Sequence, residues 1–150
     1  EIQEVVNSFL ENMVKCVEDM EGMVDKFLGD GLMAIFGAPL PQEAHAWQAL
    51  SAAVSMQKFH KKWMEDRQAA SKPAGAIGIG VATGHAVVGN IGTSNRMEYT
   101  ALGHLVNLTS RLCSAAACLT CQACSSQSNH ARPPYRTMRT VARLNCRACN

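Results

Sequence analysis

Apolar residues recur at helical spacing from the start of the chain. Val5, Val6, Phe9, Leu10, Met13, Val14, Val17 and Met20 share one face of Ile2–Met20, with Glu and Lys opposite. Glu21-Gly22 ends that helix. Two short apolar runs follow, Met23–Leu28 and Leu32–Phe36, divided by Gly29-Asp30-Gly31, which predicts a hairpin. Gly37–Pro41 reads as a loop and Gln42 to about Arg67 as a long helix, broken by Ser71-Lys72-Pro73. Ala76–Ala82 alternates Ile, Gly and Val, as in a strand crowded by a neighbour. Thr83-Gly84-His85 is expected to turn it back into a second strand, Ala86–Ile91. Met97–Leu102 reads as a short strand, and Gly103 opens a helix to about Ala116. The expected layout is α+β, with the helices on one face of a mainly antiparallel sheet.

The 150 residues suit one domain, and a hydrophobic content of 47% with 5% aromatics predicts an aliphatic, Met-rich core. The net charge of +2 hides an asymmetry. All 12 Asp and Glu lie in residues 1–117, whereas residues 118–150 hold five Arg and no acid. Five of the seven Cys are also in that tail, leaving Cys16 and Cys113 in a body that reads as reduced and intracellular, with a cytoplasmic location expected. The longest apolar run, Gly31–Leu40, falls well short of the ~20 residues that span a bilayer. The first residue is Glu1, so sequence upstream is expected. The body, 1–117, is one unit. The tail, 118–150, has no sustained period and reads as disordered or translated out of frame. Its Cys118-x₂-Cys121-x₂-Cys124 and Cys146-x₂-Cys149 spacings are zinc-like, without an apolar scaffold around them.

Four stretches could carry chemistry. Lys26 and Asp30 flank the hairpin turn: either a charged tip, or a carboxylate for Mg²⁺ beside a cation that donates to a base or phosphate. Asn107 and Arg111, four apart on a helix, are either a solvated stripe or a phosphate-directed pair, since the guanidinium fork suits phosphate oxygens. Thr100 offers one hydroxyl on a strand just before that helix, which alone carries no meaning. Gly78-Ile79-Gly80 through Gly84 has the wrong spacing for a dinucleotide fingerprint, and close packing explains it better.

Taken in order, Val24-Asp25-Lys26-Phe27-Leu28-Gly29-Asp30, Met33-Ala34-Ile35-Phe36-Gly37-Ala38-Pro39, Ile77-Gly78-Ile79-Gly80, Val87-Val88-Gly89-Asn90-Ile91-Gly92, Tyr99-Thr100 and Val106-Asn107-Leu108-Thr109-Ser110-Arg111-Leu112 resemble the class III nucleotide cyclase catalytic domain over about residues 1–117. The resemblance implies a ferredoxin-like cyclase domain that turns ATP into 3′,5′-cyclic AMP and pyrophosphate. It implies an active site shared by two chains of a head-to-tail homodimer, with two Mg²⁺ (or Mn²⁺) per site. Lys26 matches the lysine that hydrogen-bonds adenine. Thr100 stands where many members read the adenine amino group with Asp, and a Thr there marks a subclass that includes bicarbonate-responsive members. Guanylate cyclases usually have Glu and Cys at those two positions, so Lys26 with Thr100 implies ATP. Asp30 matches the second metal aspartate, Asn107 the residue that orients the ribose, and Arg111 the arginine that stabilises the transition state.

The chain departs from the family in three respects. The strand motif Asp-Ile-x-Gly-Phe, with the first metal aspartate, is absent from this chain. The sheet is therefore expected to lack its first, central strand, to fold poorly and to make no cyclic AMP alone. His104 replaces the usual capping Asp. The tail shows none of the family's later strands or its phosphate-binding lysine. The competing reading is a non-catalytic nucleotide-binding or dimerising module. A nucleic-acid partner rests only on the Arg-rich tail, which has one aromatic, Tyr135, and is not expected.

Overall fold

The structure, a computed structural model, describes residues 2–118 and 138–146, with side chains over residues 3–116. In chain order the elements are α1 (Ile2–Glu18), β1 (Met23–Leu28), β2 (Gly31–Phe36), α2 (His45–Ala69), β3 (Ile77–His85), β4 (Val87–Thr93), β5 (Arg96–Leu102), α3 (His104–Cys118) and β6 (Met138–Cys146). Strands β1-β2-β6-β3 form one antiparallel sheet, and β4-β5 form a separate two-stranded ribbon. The α+β class read from the sequence holds.

The sequence suggested helices on one face of the sheet, but they cover both. Every residue of β2 is buried, so both of its faces are covered. Leu32, Ala34 and Phe36 join Phe9, Met13 and Val17 of α1 and Ala49, Ala52 and Met56 of α2 in one core. Met33 and Ile35 point the other way, towards Ala101 of β5 and Leu105 of α3. The period of two along a strand makes this division. The strand's uniformly apolar sequence, which hides that period, is what a doubly covered strand requires.

Helix α3 owes its seat to the absence of a side chain. A Cβ on Gly80 would meet the backbone oxygen of Thr109 and, at 2.5 Å, the backbone nitrogen of Cys113. The Cys113 thiol donates to the carbonyl of neighbouring Gly78 at 3.2 Å. The glycine-rich strand is thus the bed on which α3 lies, as the packing explanation expected.

Two further features of the sequence reading are corrected. Thr83-Gly84-His85 does not turn. Strand β3 runs on through His85, paired with β6 from Ile77↔Cys146 to His85↔Met138. The hairpin is instead β4–β5, where Thr93 pairs with Arg96 across the two-residue loop Ser94-Asn95. The sheet also has no empty centre. β6 lies between β2 and β3, antiparallel to both, so the backbone edges expected to stand unpaired are paired there. The rest of the tail lies outside the described residues, as do the side chains of its zinc-like cysteine pattern.

Candidate active site

The β1–β2 hairpin closes with Leu28 opposite Gly31. Gly29 takes φ +67° at the first loop position, a geometry that favours glycine. Asp30 follows it, half-buried at the tip. Further down, the register slips between Val24 and Lys26. Val24 lies opposite Ala34, on the α1–α2 side, while Lys26 lies opposite Met33, on the α3–β5 side. Asp25 is the extra residue of this bulge. Bulges re-aim side chains in this way, often beside active sites.

The bulge turns Asp25 and Lys26 towards β5. The Asp25 side chain is only 1% exposed. Its Oδ2 accepts a hydrogen bond of 2.6 Å from the Thr100 hydroxyl. Its Oδ1 has no hydrogen-bond partner among the described residues, and the Lys26 ammonium stands 3.8 Å away. Lys26 Nζ donates to Glu98 Oε2 at 3.1 Å, and Arg96 holds the other oxygen of that carboxyl at 3.0 Å. Hydrogen bonds from Lys26 and then Arg96 hold the Glu98 carboxyl below its ordinary pKa. Lys26 and Thr100, far apart in the chain, thus meet around one buried carboxylate. An exposed pair such as Lys26–Glu98 contributes little to stability. The bond from Thr100 to a buried carboxylate is of the stronger kind, about 1.5–3 kcal/mol.

Asp30, Asn107 and Arg111 take no part in this network. Asn107 and Arg111 are exposed on α3. The helix begins behind Gly103 at φ +129°, and the Val106 amide donates to the Gly103 carbonyl at 3.2 Å. An open cleft of about 390 Å³ near Met23, Ala38 and Pro39 contains none of the five candidates. Among the described residues no three His, Cys, Asp or Glu side chains cluster as a ready metal site. One carboxylate at a turn tip still suits Mg²⁺, which takes its remaining ligands from phosphate and water.

Sequence reasoning overlooked Asp25 and Glu98 as members of this cluster. A signal for Asp25 was present: Asp is disfavoured in strands, and one between Val24 and Phe27 marks either an edge or a bulge. Glu98 carried none, because a Lys–Glu contact across 72 residues is visible only in three dimensions.

The family model described as "Adenylate and Guanylate cyclase catalytic domain" matches residues 1–134. The chain belongs to that family. Among solved structures it is similar to the adenylyl cyclase CyaB from P. aeruginosa, with a TM-score of 0.71 and 30% identity over 95% of this chain and 81% of that one. It is also similar to the guanylyl cyclase Cya2, with a TM-score of 0.69 and 26% identity over 95% of this chain and 79% of that one. Curated relatives include uncharacterized proteins of Mycobacterium bovis and Mycobacterium tuberculosis, each 38% identical over 115 residues, or 77% of this chain. The chain spans about a fifth of the length of those relatives. No helix among the described residues is long and apolar enough to cross a membrane.

Proposed function

We propose that this chain is the catalytic domain of an adenylate cyclase, acting on ATP within a cytoplasmic, homodimeric part of a larger signalling protein. The observation that carries the reading is the meeting of Lys26 and Thr100 around Asp25. It brings one hydrogen-bonding cation and one hydroxyl to a common place, as recognition of a purine edge requires. Similarity alone does not choose the base, since one structural relative is titled an adenylyl cyclase and another a guanylyl cyclase.

Lys26 and Thr100 hold the base, and Asn107 positions the ribose so that its 3′-oxygen faces the α-phosphorus in line with the leaving pyrophosphate. Arg111 donates to the phosphoryl oxygens where charge builds in the transition state. Asp30 would hold a divalent cation together with phosphate oxygens, and that ion would screen the triphosphate and favour ionisation of the attacking hydroxyl. Lys26 and Thr100 belong to β1 and β5, Asn107 and Arg111 to the outer face of α3, and a second chain brings the two sets to one nucleotide. The β4–β5 ribbon supports such a partner. It exposes Val87 (69%), its cross-strand neighbour Leu102 (50%) and Met97, and a two-stranded ribbon is marginal on its own.

One observation favours the second reading, a non-catalytic nucleotide-binding or dimerising module. Strand β6, at the centre of the sheet, contains no Asp or Glu. This chain therefore offers no acidic residue there to join Asp30 around a second metal. The test is cyclic nucleotide production with ATP or GTP and Mg²⁺ or Mn²⁺, by this 150-residue chain and by the full-length protein. The expected result is cyclic AMP from the full-length protein and none from the chain alone. A full-length protein that binds ATP without turning it over establishes the module.

A further inference from the structure

Asp25 is a buried carboxylate with one oxygen hydrogen-bonded and the other without a hydrogen bond, in a strand where a bulge is needed to turn it inward. Burying such a group is costly unless its oxygens are satisfied, and one left without a hydrogen bond calls for an explanation. Its two neighbours are the two side chains assigned above to the base. We propose that Asp25 is a positioning residue that fixes the hydrogen-bond polarity of the base-binding pair Lys26 and Thr100, and so selects adenine over guanine. This inference rests on the reading of Lys26 and Thr100 as base-binding.

A threonine hydroxyl has one proton and two lone pairs, and by itself both donates and accepts. It would tolerate an amino group or a carbonyl on the base alike. A carboxylate can only accept. With the Thr100 proton given to Asp25 Oδ2 at 2.6 Å, the oxygen that remains for a ligand is an acceptor. Lys26, with three N–H groups and no lone pair, can only donate. Thr100 and Lys26 then present one acceptor and one donor. The edge of adenine complements that pattern, with an amino group that donates and a ring nitrogen that accepts. Guanine carries the reverse, a carbonyl that accepts and a ring N–H that donates. It would set carbonyl against hydroxyl oxygen and N–H against ammonium, and unmade hydrogen bonds at a site built for them discriminate strongly. Oδ1 of Asp25, facing Lys26 at 3.8 Å, also attracts the ammonium towards this edge when it leaves Glu98.

The experiment measures equilibrium binding of α,β-methylene-ATP and α,β-methylene-GTP, which cannot release pyrophosphate, to the full-length protein and its variants. In Asp25→Asn the amide can turn either its oxygen or its nitrogen to Thr100, so the hydroxyl regains both roles. The ATP:GTP affinity ratio is expected to fall about tenfold, the scale of one hydrogen bond, mainly through tighter GTP binding. The double variant D25N/T100D supplies an acceptor directly and is expected to restore the ratio. D25N/T100S keeps an unoriented hydroxyl and is expected not to restore it. If Asp25→Asn alone is too unstable to purify, these two double variants decide. An unchanged ratio in Asp25→Asn, or equal ratios in the two double variants, overturns the polarity role while leaving the base assignment intact. Wild-type protein that binds neither nucleotide, or binds both equally, overturns the base assignment itself.

Discussion

The two halves of the proposed site are built in opposite ways. The base half, Asp25, Lys26 and Thr100, is folded into the chain: a bulge turns it inward, Asp25 is buried, and Thr100 is only 6% exposed. The phosphate half, Asn107 and Arg111, stands on the exposed face of a helix whose position depends on a glycine bed. On the proposed reading, recognition is fixed by the interior of one chain, whereas reaction chemistry is presented at a surface. Substitutions in the two halves should therefore separate stability, discrimination and rate.

The largest effect is expected from Arg111→Ala. An exposed arginine contributes little to folding, so stability should stay within about 0.5 kcal/mol of wild type. The cyclase rate of the full-length protein should fall about 10²–10³-fold, as when a donor to a developing oxyanion is lost. Initial rates and a denaturant melt check both. A large loss of stability with an unchanged rate would reverse the comparison.

Gly80→Val tests the bed under the phosphate half. The new side chain meets the backbone of α3, which has little freedom to give way, and overpacking of this kind costs about 1–3 kcal/mol. Denaturant unfolding should show that loss. ATP:GTP discrimination in the folded fraction should not change, since β1 and β5 carry the base half. A change there would mean that the halves are mechanically joined.

The smallest effect is expected from Glu98→Gln. In wild type Glu98 holds the lysine that a nucleotide would need, so releasing it should improve ATP affinity roughly two- to threefold, in keeping with an exposed ion pair. The sign with pH follows from the lowered pKa of Glu98. The Lys26–Glu98 pair is present above the ordinary glutamate range and is lost as pH falls through the depressed value. The advantage of the variant should then hold at neutral pH and vanish in acid, as titrations at two pH values would reveal.

Much of this comparison was legible in the sequence. The first hairpin was, because Gly29-Asp30-Gly31 sits between two short apolar runs. So was α3, because Leu105, Val106, Leu108 and Leu112 repeat at helical spacing. The bulge at Asp25 was not, since a bulge is a property of register between two strands rather than of either one. The partner of β4 was misassigned for a related reason. Only Ala86 separates β3 from β4, and Gly84 looked like the stronger turn signal than Ser94-Asn95. The unbroken apolar run of β2 was itself the sign of its two-sided covering, which the one-faced layout passed over, and β6 was hidden by a tail whose composition gave no period.

The position of β6 has a consequence for how this chain folds. The strand at the centre of the sheet is the last one described: Leu32 pairs with Leu144, and Ile77 with Cys146. Until β6 joins them in this 150-residue chain, β2 and β3 stand with their inner edges open. Contacts so distant in sequence form slowly, and open edges invite association with other chains. Versions of this chain that end before residue 138 should therefore be more prone to aggregate than the 150-residue chain.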